Sequence, residues 1–199
     1  MTNDTARRPR TKSAEIRREE LMDAAQALFL EKGFAATNVS EIVEGADVAK
    51  GTFYLYFKTK EDVLTALQIR FVESFCEKID GAMAQHHDDW PSRLDAFVAV
   101  CLDAYLDSMP VHDLVFHQHR PANRAMKAGN PVITRLMALL KAGAKDAALE
   151  MGDPRLTAVM LFDALHGAVD DCLASGKPIS RAELFQTVAN FYRNALRMR

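Results

Sequence analysis

The stretch from Lys50 to Lys60, KGTFYLYFKTK, concentrates lysine ammonium groups, threonine hydroxyls and two phenols. These groups suit a phosphate backbone, because lysines neutralise phosphates and hydroxyls donate hydrogen bonds to their oxygens. By propensity alone, the aromatic run favours a β-strand. On a helix at 100° per residue, however, Ala49, Phe53 and Phe57 share one narrow face. The residues on the other side are Gly51, Thr52, Tyr54 and Leu55. The stretch is therefore predicted to be a helix anchored by two phenylalanines.

The residues before this stretch place it in a recognisable arrangement. Ile42 and Val43 lie on a short helix, a tight turn follows at residues 46–48, and the second helix comes directly after it. This spacing is typical of a helix-turn-helix, whose second helix enters the major groove of DNA. A two-helix corner in an ordinary all-α core gives the same pattern and remains the alternative.

Helical periodicity continues along nearly the whole chain, and glycine and proline fall mostly at the breaks. No alternating strand pattern is sustained, so the chain is predicted to be all-α with about nine helices. The expected helices cover residues 13–32, 38–46, 49–57, 59–84, 92–108, 111–119, 131–151, 154–174 and 180–197.

Four residues are predicted to mark the boundaries of the first helices. Gly33 supplies a positive-φ position after the first helix. Thr37 is expected to cap the second helix, Asp47 the third and Thr59 the fourth, because their side-chain oxygens can accept backbone N–H groups.

Two segments carry a family resemblance: ATNVSEIVEGADVAKGTFYLYFKTKEDVL and, upstream of it, AAQALFLEKGF. They resemble the N-terminal DNA-binding domain of the TetR family of transcriptional regulators over about the first 65 residues. The remainder matches that family only in helical content and length. The resemblance implies a DNA-binding domain at residues 1–58 and a helical effector-binding and dimerisation domain at 59–199, with helix four (59–84) connecting them.

The resemblance also implies a set of DNA contacts. Thr37, Tyr54 and Lys60 would meet phosphates, and Leu55 is the candidate for an apolar base contact. Asp47 stands where the family usually has Gly, and it is expected to adopt the left-handed backbone there. The remaining implied contacts are Ser40 with backbone or base, and Lys50, Gly51, Thr52 and Tyr56 in or beside the groove.

The charge distribution adds a further candidate for DNA binding. The formal net charge is −2, yet residues 1–18 hold six basic residues against two acidic ones. Arg7, Arg8 and Arg10 could enter a neighbouring minor groove, as basic arms do. A solvated tail is the alternative reading of the same residues.

The C-terminal part is expected to supply dimerisation and effector binding, as the resemblance implies. One helix-turn-helix contacts few base pairs, so a homodimer on a palindromic operator is predicted, formed through Pro154 to Ala174 and Ser180 to Arg197. A small, apolar or aromatic effector would move helix four and release the operator. Ordinary core packing is the competing explanation for the candidate lining residues, which are Phe71, Phe75, Phe97, Cys101, Tyr105, Phe116, Met137, Phe162 and His166.

Other chemistries have less support. Four histidines (His112, His117, His119 and His166) could converge with Asp163 or Asp170, but no recognised metal-ligand spacing is present. We therefore expect no metal, no cofactor and no enzymatic activity. An all-α metal-dependent enzyme and a DNA-binding regulator that has no effector, or is controlled by a partner protein, remain the alternatives.

The expected location is the cytoplasm. The three cysteines are widely separated and lack a C-x-x-C spacing, which is typical of reduced thiols. No apolar run approaches the roughly 18 residues that a membrane helix needs, and no apolar stretch follows the N-terminal charges.

Overall fold

A computed structural model describes residues 13–86, 89–117, 129–146, 149–176, 178 and 180–197. Within these residues the chain forms nine α-helices and no strand, which confirms the all-α prediction. The helices are α1 (Ala14–Lys32), α2 (Val39–Gly45), α3 (Lys50–Tyr56), α4 (Lys60–Ala84), α5 (Trp90–Asp107), α6 (Met109–His117), α7 (Pro131–Lys145), α8 (Pro154–Ala174) and α9 (Arg181–Ala195).

Several helix ends differ from the predicted ones. α5 begins at Trp90, two residues early, because Asp89 caps it by accepting the Ser92 N–H and Pro91 is tolerated in a first turn. α6 likewise begins two residues early, and its predicted end at residue 119 lies outside the described residues. α7 ends at Lys145, six residues short of the prediction, and the N–H of Glu150 instead donates to a backbone carbonyl in another part of the chain.

The caps around α2 and α3 also differ in part from the prediction. Asn38, not Thr37, caps α2, and it forms a reciprocal capping box with Glu41. Ala49, not Asp47, caps α3, and no side chain contributes a hydrogen bond there. Asp47 does adopt the expected left-handed backbone, with φ 51°. Thr59 accepts the N–H of a first-turn residue of α4, as predicted.

The chain divides into two compact units, Met1–Gln68 and Ile69–Arg199. The division lies inside α4, ten residues after the predicted boundary, so α4 contributes to both units. In the first unit, Phe53 of α3 packs its fully buried ring among apolar side chains of the neighbouring helices; the buried set includes Leu21, Met22, Ala25, Phe29, Ile42, Val43, Phe57, Val63 and Leu67.

The second unit is built around α5, α7, α8 and α9, which bury a continuous apolar core. Trp90 fixes α5 against α7, since its indole N–H donates to the carbonyl of Leu139 at 2.7 Å. Gly143 makes this contact sterically possible: a Cβ at that position would lie 2.2 Å from the indole ring. Among the helices described, none is long and apolar enough to span a bilayer.

Candidate nucleic-acid interface and ligand cavity

α3 separates its aromatic residues onto two faces. Phe53 is fully buried and Phe57 nearly so, and their rings pack against each other with centroids 5.8 Å apart. On the outer face, Tyr54 is 55% exposed and Leu55 79% exposed. An exposed leucine beside an exposed phenol is unusual for a solvated helix and suits contact with a partner surface.

The neighbouring predicted residues surround this outer face. Lys50 and Gly51 are exposed, and the Lys50 Nζ donates to the Ser40 hydroxyl of α2 at 3.2 Å. Thr52 and Tyr56 are half-buried at the edge of the helix. No atom lies within 4 Å of a Cβ built on Gly51, so a groove could approach the backbone closely there. The three arginines of the predicted basic arm, Arg7, Arg8 and Arg10, lie outside the described residues.

Two residues predicted to contact phosphates have a different role in the structure. Thr37 is 2% exposed, and its hydroxyl donates to the carbonyl of Gly33 at 3.0 Å. Lys60 donates to three carbonyls, at 2.7 Å, 2.9 Å and 3.2 Å. Since an ammonium group has three N–H donors, all of them hold the connection between α1 and α2. Both side chains therefore stabilise this turn in the free protein, and their phosphate contacts stay predictions.

Lys60 also lies over an aromatic ring, with Nζ 4.6 Å from the centroid of Phe34. The same connection is closed from the other side by an ion pair between Lys32 and Glu41. The hydrogen bond from Lys32 holds the pKa of the Glu41 carboxyl below its usual value. These contacts fix the start of α2 and, through it, the position of α3.

The second unit encloses a cavity of about 30 Å³. Seven of the nine predicted lining residues do line it, and they come from α4, α5 and α8. Phe116 lies just behind it, with its ring 5.9 Å from that of Phe71, whereas Met137 packs against the core and does not line the cavity. The full lining is Phe71, Phe75, Phe97, Cys101, Ala104, Tyr105, His112, Val132, Phe162, Leu165, His166 and Tyr192.

Five lining residues were not among the predicted set. Ala104, Val132 and Leu165 carry no chemical signal that separates a cavity wall from a core. His112 lies four residues before Phe116 on the same face of α6, a spacing that indicates a shared surface. Its ring is 4.1 Å from that of Tyr105, between centroids.

The polar groups around the cavity are hydrogen-bonded to the protein. Tyr105 donates its phenolic proton to Asp170 at 2.7 Å, and Tyr192 donates to the carbonyl of Leu161 at 2.6 Å. Burial, with the hydrogen bond to Asp170, raises the pKa of Tyr105, so this phenol remains protonated. Burial likewise raises the pKa of the Cys101 thiol, which is inconsistent with a reactive thiolate.

The histidines do not gather a metal site within the described part of the chain, where no group of three potential ligands is found. His166 instead forms a hydrogen bond through Nδ1 with the carbonyl of Phe162 at 3.0 Å. The side chain of His117 and the whole of His119 lie outside the described residues, so the prediction that there is no metal stays a prediction.

The family model described as "Bacterial regulatory proteins, tetR family" matches residues 21–67, which run from α1 through α3 into α4. Residues 21–67 are therefore similar to the N-terminal region of TetR-family regulators. The matched range contains the exposed face of α3 and the complete connection that Lys60 and Thr37 hold.

Individual relatives match this chain over part of its length. The fatty acid metabolism regulator protein of Bacillus subtilis is 41% identical over 61 residues, which is 31% of this chain and 31% of that protein. The transcriptional repressor NemR of Escherichia coli is 27% identical over 88 residues, 44% of each chain. These alignments therefore span less than half of the relatives' length.

Solved structures extend the likeness in fold to nearly the whole chain. The fatty acid degradation regulator FadR of Bacillus halodurans is 25% identical, with a TM-score of 0.74 over 96% of this chain and 100% of that one. A putative TetR-family regulator from Mesorhizobium loti has the same TM-score at 18% identity, over 92% of this chain and 98% of its own. The helical second unit is thus part of a shared architecture.

Proposed function

We propose that this protein is a homodimeric transcriptional regulator that binds duplex operator DNA through α3, acts as a repressor, and is released by a small, largely apolar or aromatic effector. The observation that carries the proposal is the outer face of α3, where Tyr54 and Leu55 are exposed beside the fully buried anchor Phe53. Together with the match of residues 21–67 to the TetR-family model, this face favours DNA binding over an enzymatic function.

The chemistry of that face matches the major groove. Lys50 neutralises a phosphate, and the phenol of Tyr54 donates a hydrogen bond to a phosphate oxygen. Leu55 offers apolar contact to a thymine methyl group, and Gly51 allows the helix backbone to come close to the bases. Leu55 is therefore the residue that we expect to discriminate between bases.

Dimerisation through α8 and α9 is supported by apolar exposure. Leu156 and Met160 lie one turn apart on α8, Phe191 lies on α9, and all three are more than half exposed. A monomer would leave this apolar surface in water. A symmetric four-helix contact would cover it and present two α3 helices to two half-sites of a palindrome.

Effector release is proposed to act through α4. Phe71 and Phe75 of α4 line the cavity, and the first turns of the same helix belong to the DNA-binding unit. The cavity, about 30 Å³, is smaller than the roughly 150 Å³ that accommodates benzene. A bound effector must therefore push lining side chains apart, and displacement of α4 would change the presentation of α3.

A fatty-acyl compound is a second candidate effector. Two relatives are described as regulators of fatty acid metabolism or degradation, and one of them is similar over nearly the whole chain. The apolar lining is compatible with an acyl chain, whereas the aromatic rings favour a planar guest.

The DNA-binding proposal is tested by selecting duplexes from a random library with the purified protein and measuring their affinity by fluorescence anisotropy. A palindromic consensus is expected. The combined substitution of Lys50→Ala, Tyr54→Ala and Leu55→Ala should weaken binding more than 100-fold, since two of the three contacts are hydrogen bonds to a charged phosphate, worth about 1.5–3 kcal/mol each. Lys141→Ala, at an exposed lysine of α7, is the matched control. Equal affinity of the triple variant and the control would overturn the assignment of α3.

A further inference from the structure

We propose that the cavity selects an uncharged aromatic ligand that carries a hydrogen-bond donor, such as a phenol or an indole, and discriminates against carboxylates. This inference rests on the proposed function, because it names the chemical class of the effector. It follows from the hydrogen bonds of the lining residues, whose protons are already donated to protein acceptors while their oxygens can still accept.

The walls are suited to a planar guest. Aromatic and imidazole rings meet each other around the cavity: centroid distances are 4.1 Å for Phe162 and His166, and 6.1 Å for Phe71 and His112. The rings are tilted or edge-on to one another, the geometry that aromatic pairs prefer. A flat ring inserted among them would keep contacts of the same kind.

The protons of the polar lining groups are directed at the protein. Tyr105 donates to the Asp170 carboxylate, and Tyr192 donates to the Leu161 carbonyl. The carbonyl of Phe162 can only accept, so the hydrogen bond from His166 places a proton on Nδ1 and uses it there. Each of these donors is thus engaged by a protein acceptor.

The phenolic oxygens of Tyr105 and Tyr192 can still accept a hydrogen bond. A hydroxyl that donates one hydrogen bond retains lone pairs, and donation to a carboxylate polarises the Tyr105 oxygen into a stronger acceptor. A ligand O–H or N–H would satisfy that oxygen in an apolar setting, where an added hydrogen bond is strong.

A carboxylate needs a donor or a cation, and the cavity has no permanently charged cation for it. None of the twelve residues around the cavity is a lysine or an arginine. The formal charge next to the Tyr105 hydroxyl is negative, on Asp170. The imidazoles of His112 and His166 are the only lining side chains that can take up a positive charge, and His166 already donates from Nδ1 to the protein. Burying an anion beside Asp170 without a permanent cation is costly, so a benzoate or a fatty acid should bind worse than an uncharged ring of the same size.

The experiment compares probes that share one ring and differ in one group, by isothermal titration calorimetry on the full-length protein at pH 7. 4-Ethylphenol carries a donor, 4-ethylanisole lacks it and 4-ethylbenzoate is anionic; decanoate represents the fatty-acyl candidate. We expect 4-ethylphenol to bind about five- to tenfold more tightly than 4-ethylanisole, the value of one net hydrogen bond, and both anions to bind more weakly than either.

Two variants connect that preference to the cavity. Tyr105→Phe should reduce the phenol-to-anisole affinity ratio to about one. Met137→Leu, at a half-buried α7 residue that does not line the cavity, should retain the wild-type ratio. Thermal melts of both variants establish that they fold. A phenol preference that survives Tyr105→Phe would overturn the proposed acceptor.

The outcomes separate this inference from the proposed function. Tighter binding of 4-ethylbenzoate or decanoate than of 4-ethylphenol would refute the proposed preference for an uncharged donor. The proposal of an effector-responsive regulator would remain. Failure of every probe to bind, with operator binding retained, would refute the inference and the effector together but not DNA recognition. Loss of DNA recognition with the phenol preference intact would leave this inference standing and refute the operator proposal.

Discussion

The outer face of α3 and the cavity of the second unit are both rich in aromatic rings, yet they use tyrosine in opposite ways. Tyr54 on α3 is 55% exposed, whereas Tyr105 and Tyr192 at the cavity are 5% and 0% exposed. The buried phenols donate their protons to protein acceptors. The exposed phenol is displayed at a surface.

This difference shows what aromatic composition alone leaves undetermined. An aromatic ring on a short exposed helix must find its neighbour outside the chain, and a phosphate backbone supplies one for a phenol. Rings that face an interior need a guest small enough to be enclosed. Exposure and the direction of the hydroxyl proton, more than residue type, separate the proposed DNA-binding surface from the proposed ligand-binding wall.

The largest expected effect on stability comes from removing the buried anchor of α3, which tests the division of this helix into a buried and an exposed face. Phe53→Ala removes a fully buried ring and should lower the free energy of unfolding by about 3–5 kcal/mol. Leu55→Ala, two residues away and mostly exposed, should change it by no more than about 0.5 kcal/mol while weakening operator binding. Urea unfolding followed by circular dichroism measures both variants. Comparable losses of stability from the two would mean that the faces are misassigned.

A second substitution tests how rigid the frame of the cavity unit is. Gly143→Ala places a Cβ against the Trp90 indole, which a hydrogen bond holds in place. We expect a loss of about 2 kcal/mol, because overpacking outweighs the gain in helix propensity.

Gly81→Ala in α4 is the control for Gly143→Ala, since nothing lies within 4 Å of the added Cβ. It should stabilise the protein by up to about 1 kcal/mol. Thermal denaturation compares the two. Stabilisation by Gly143→Ala would show that the indole can move aside and that the α5–α7 contact is adaptable.

The third prediction tests which of two lysines contacts a DNA phosphate. Lys50→Met should reduce the slope of log affinity against log salt concentration by about one, the signature of a lost phosphate contact. Lys60→Met should leave the slope unchanged and instead destabilise the protein by about 1–2 kcal/mol, because three carbonyls lose their charged donor. A reduced slope for Lys60→Met would restore the phosphate contact that the sequence predicted.

The two regions also differ in how far sequence could predict them. α3 was predictable because its information is local: the i, i+4 pair of Phe53 and Phe57 and the turn at Asp47 lie within a few residues of each other. The structural role of Lys60 was not predictable, because its carbonyl partners lie 23 to 26 residues earlier in the chain. Helical spacing does not reveal a contact at that separation.

The cavity was predictable only where bulky rings repeat along one helix. Phe71 and Phe75 of α4, and Phe162 and His166 of α8, show that spacing and do line the cavity. Tyr192 and Val132 come from helices whose apolar faces are mostly core, so only the packing of α7 and α9 against α5 and α8 identifies them. Periodicity reports which face is buried, but not whether that face meets a cavity.

The smallest expected effects compare the two tyrosines directly. Tyr105→Phe removes one buried hydrogen bond and should cost about 1 kcal/mol of stability at pH 7, with no change in the affinity for a selected operator duplex in the absence of effector. Tyr54→Phe should leave stability unchanged and weaken operator binding severalfold. Chemical denaturation measures the stability of each variant, and fluorescence anisotropy measures its affinity for the operator. Weaker operator binding by Tyr105→Phe would show that the cavity acts on DNA without a ligand.

The dependence of stability on alkaline pH tests the burial of the Tyr105 phenol. The folded state raises the pKa of Tyr105 above that of the unfolded chain, so the unfolded state releases the proton first as the pH rises. Stability from this group is therefore fully present below about pH 10, the ordinary tyrosine value, and falls as the pH increases beyond it. Tyr105→Phe should make that fall shallower but not abolish it, because burial also raises the pKa of Tyr192. Denaturation at pH 8 and pH 11 measures the difference, and an unchanged slope in Tyr105→Phe would mean that its phenol is solvated in the folded protein.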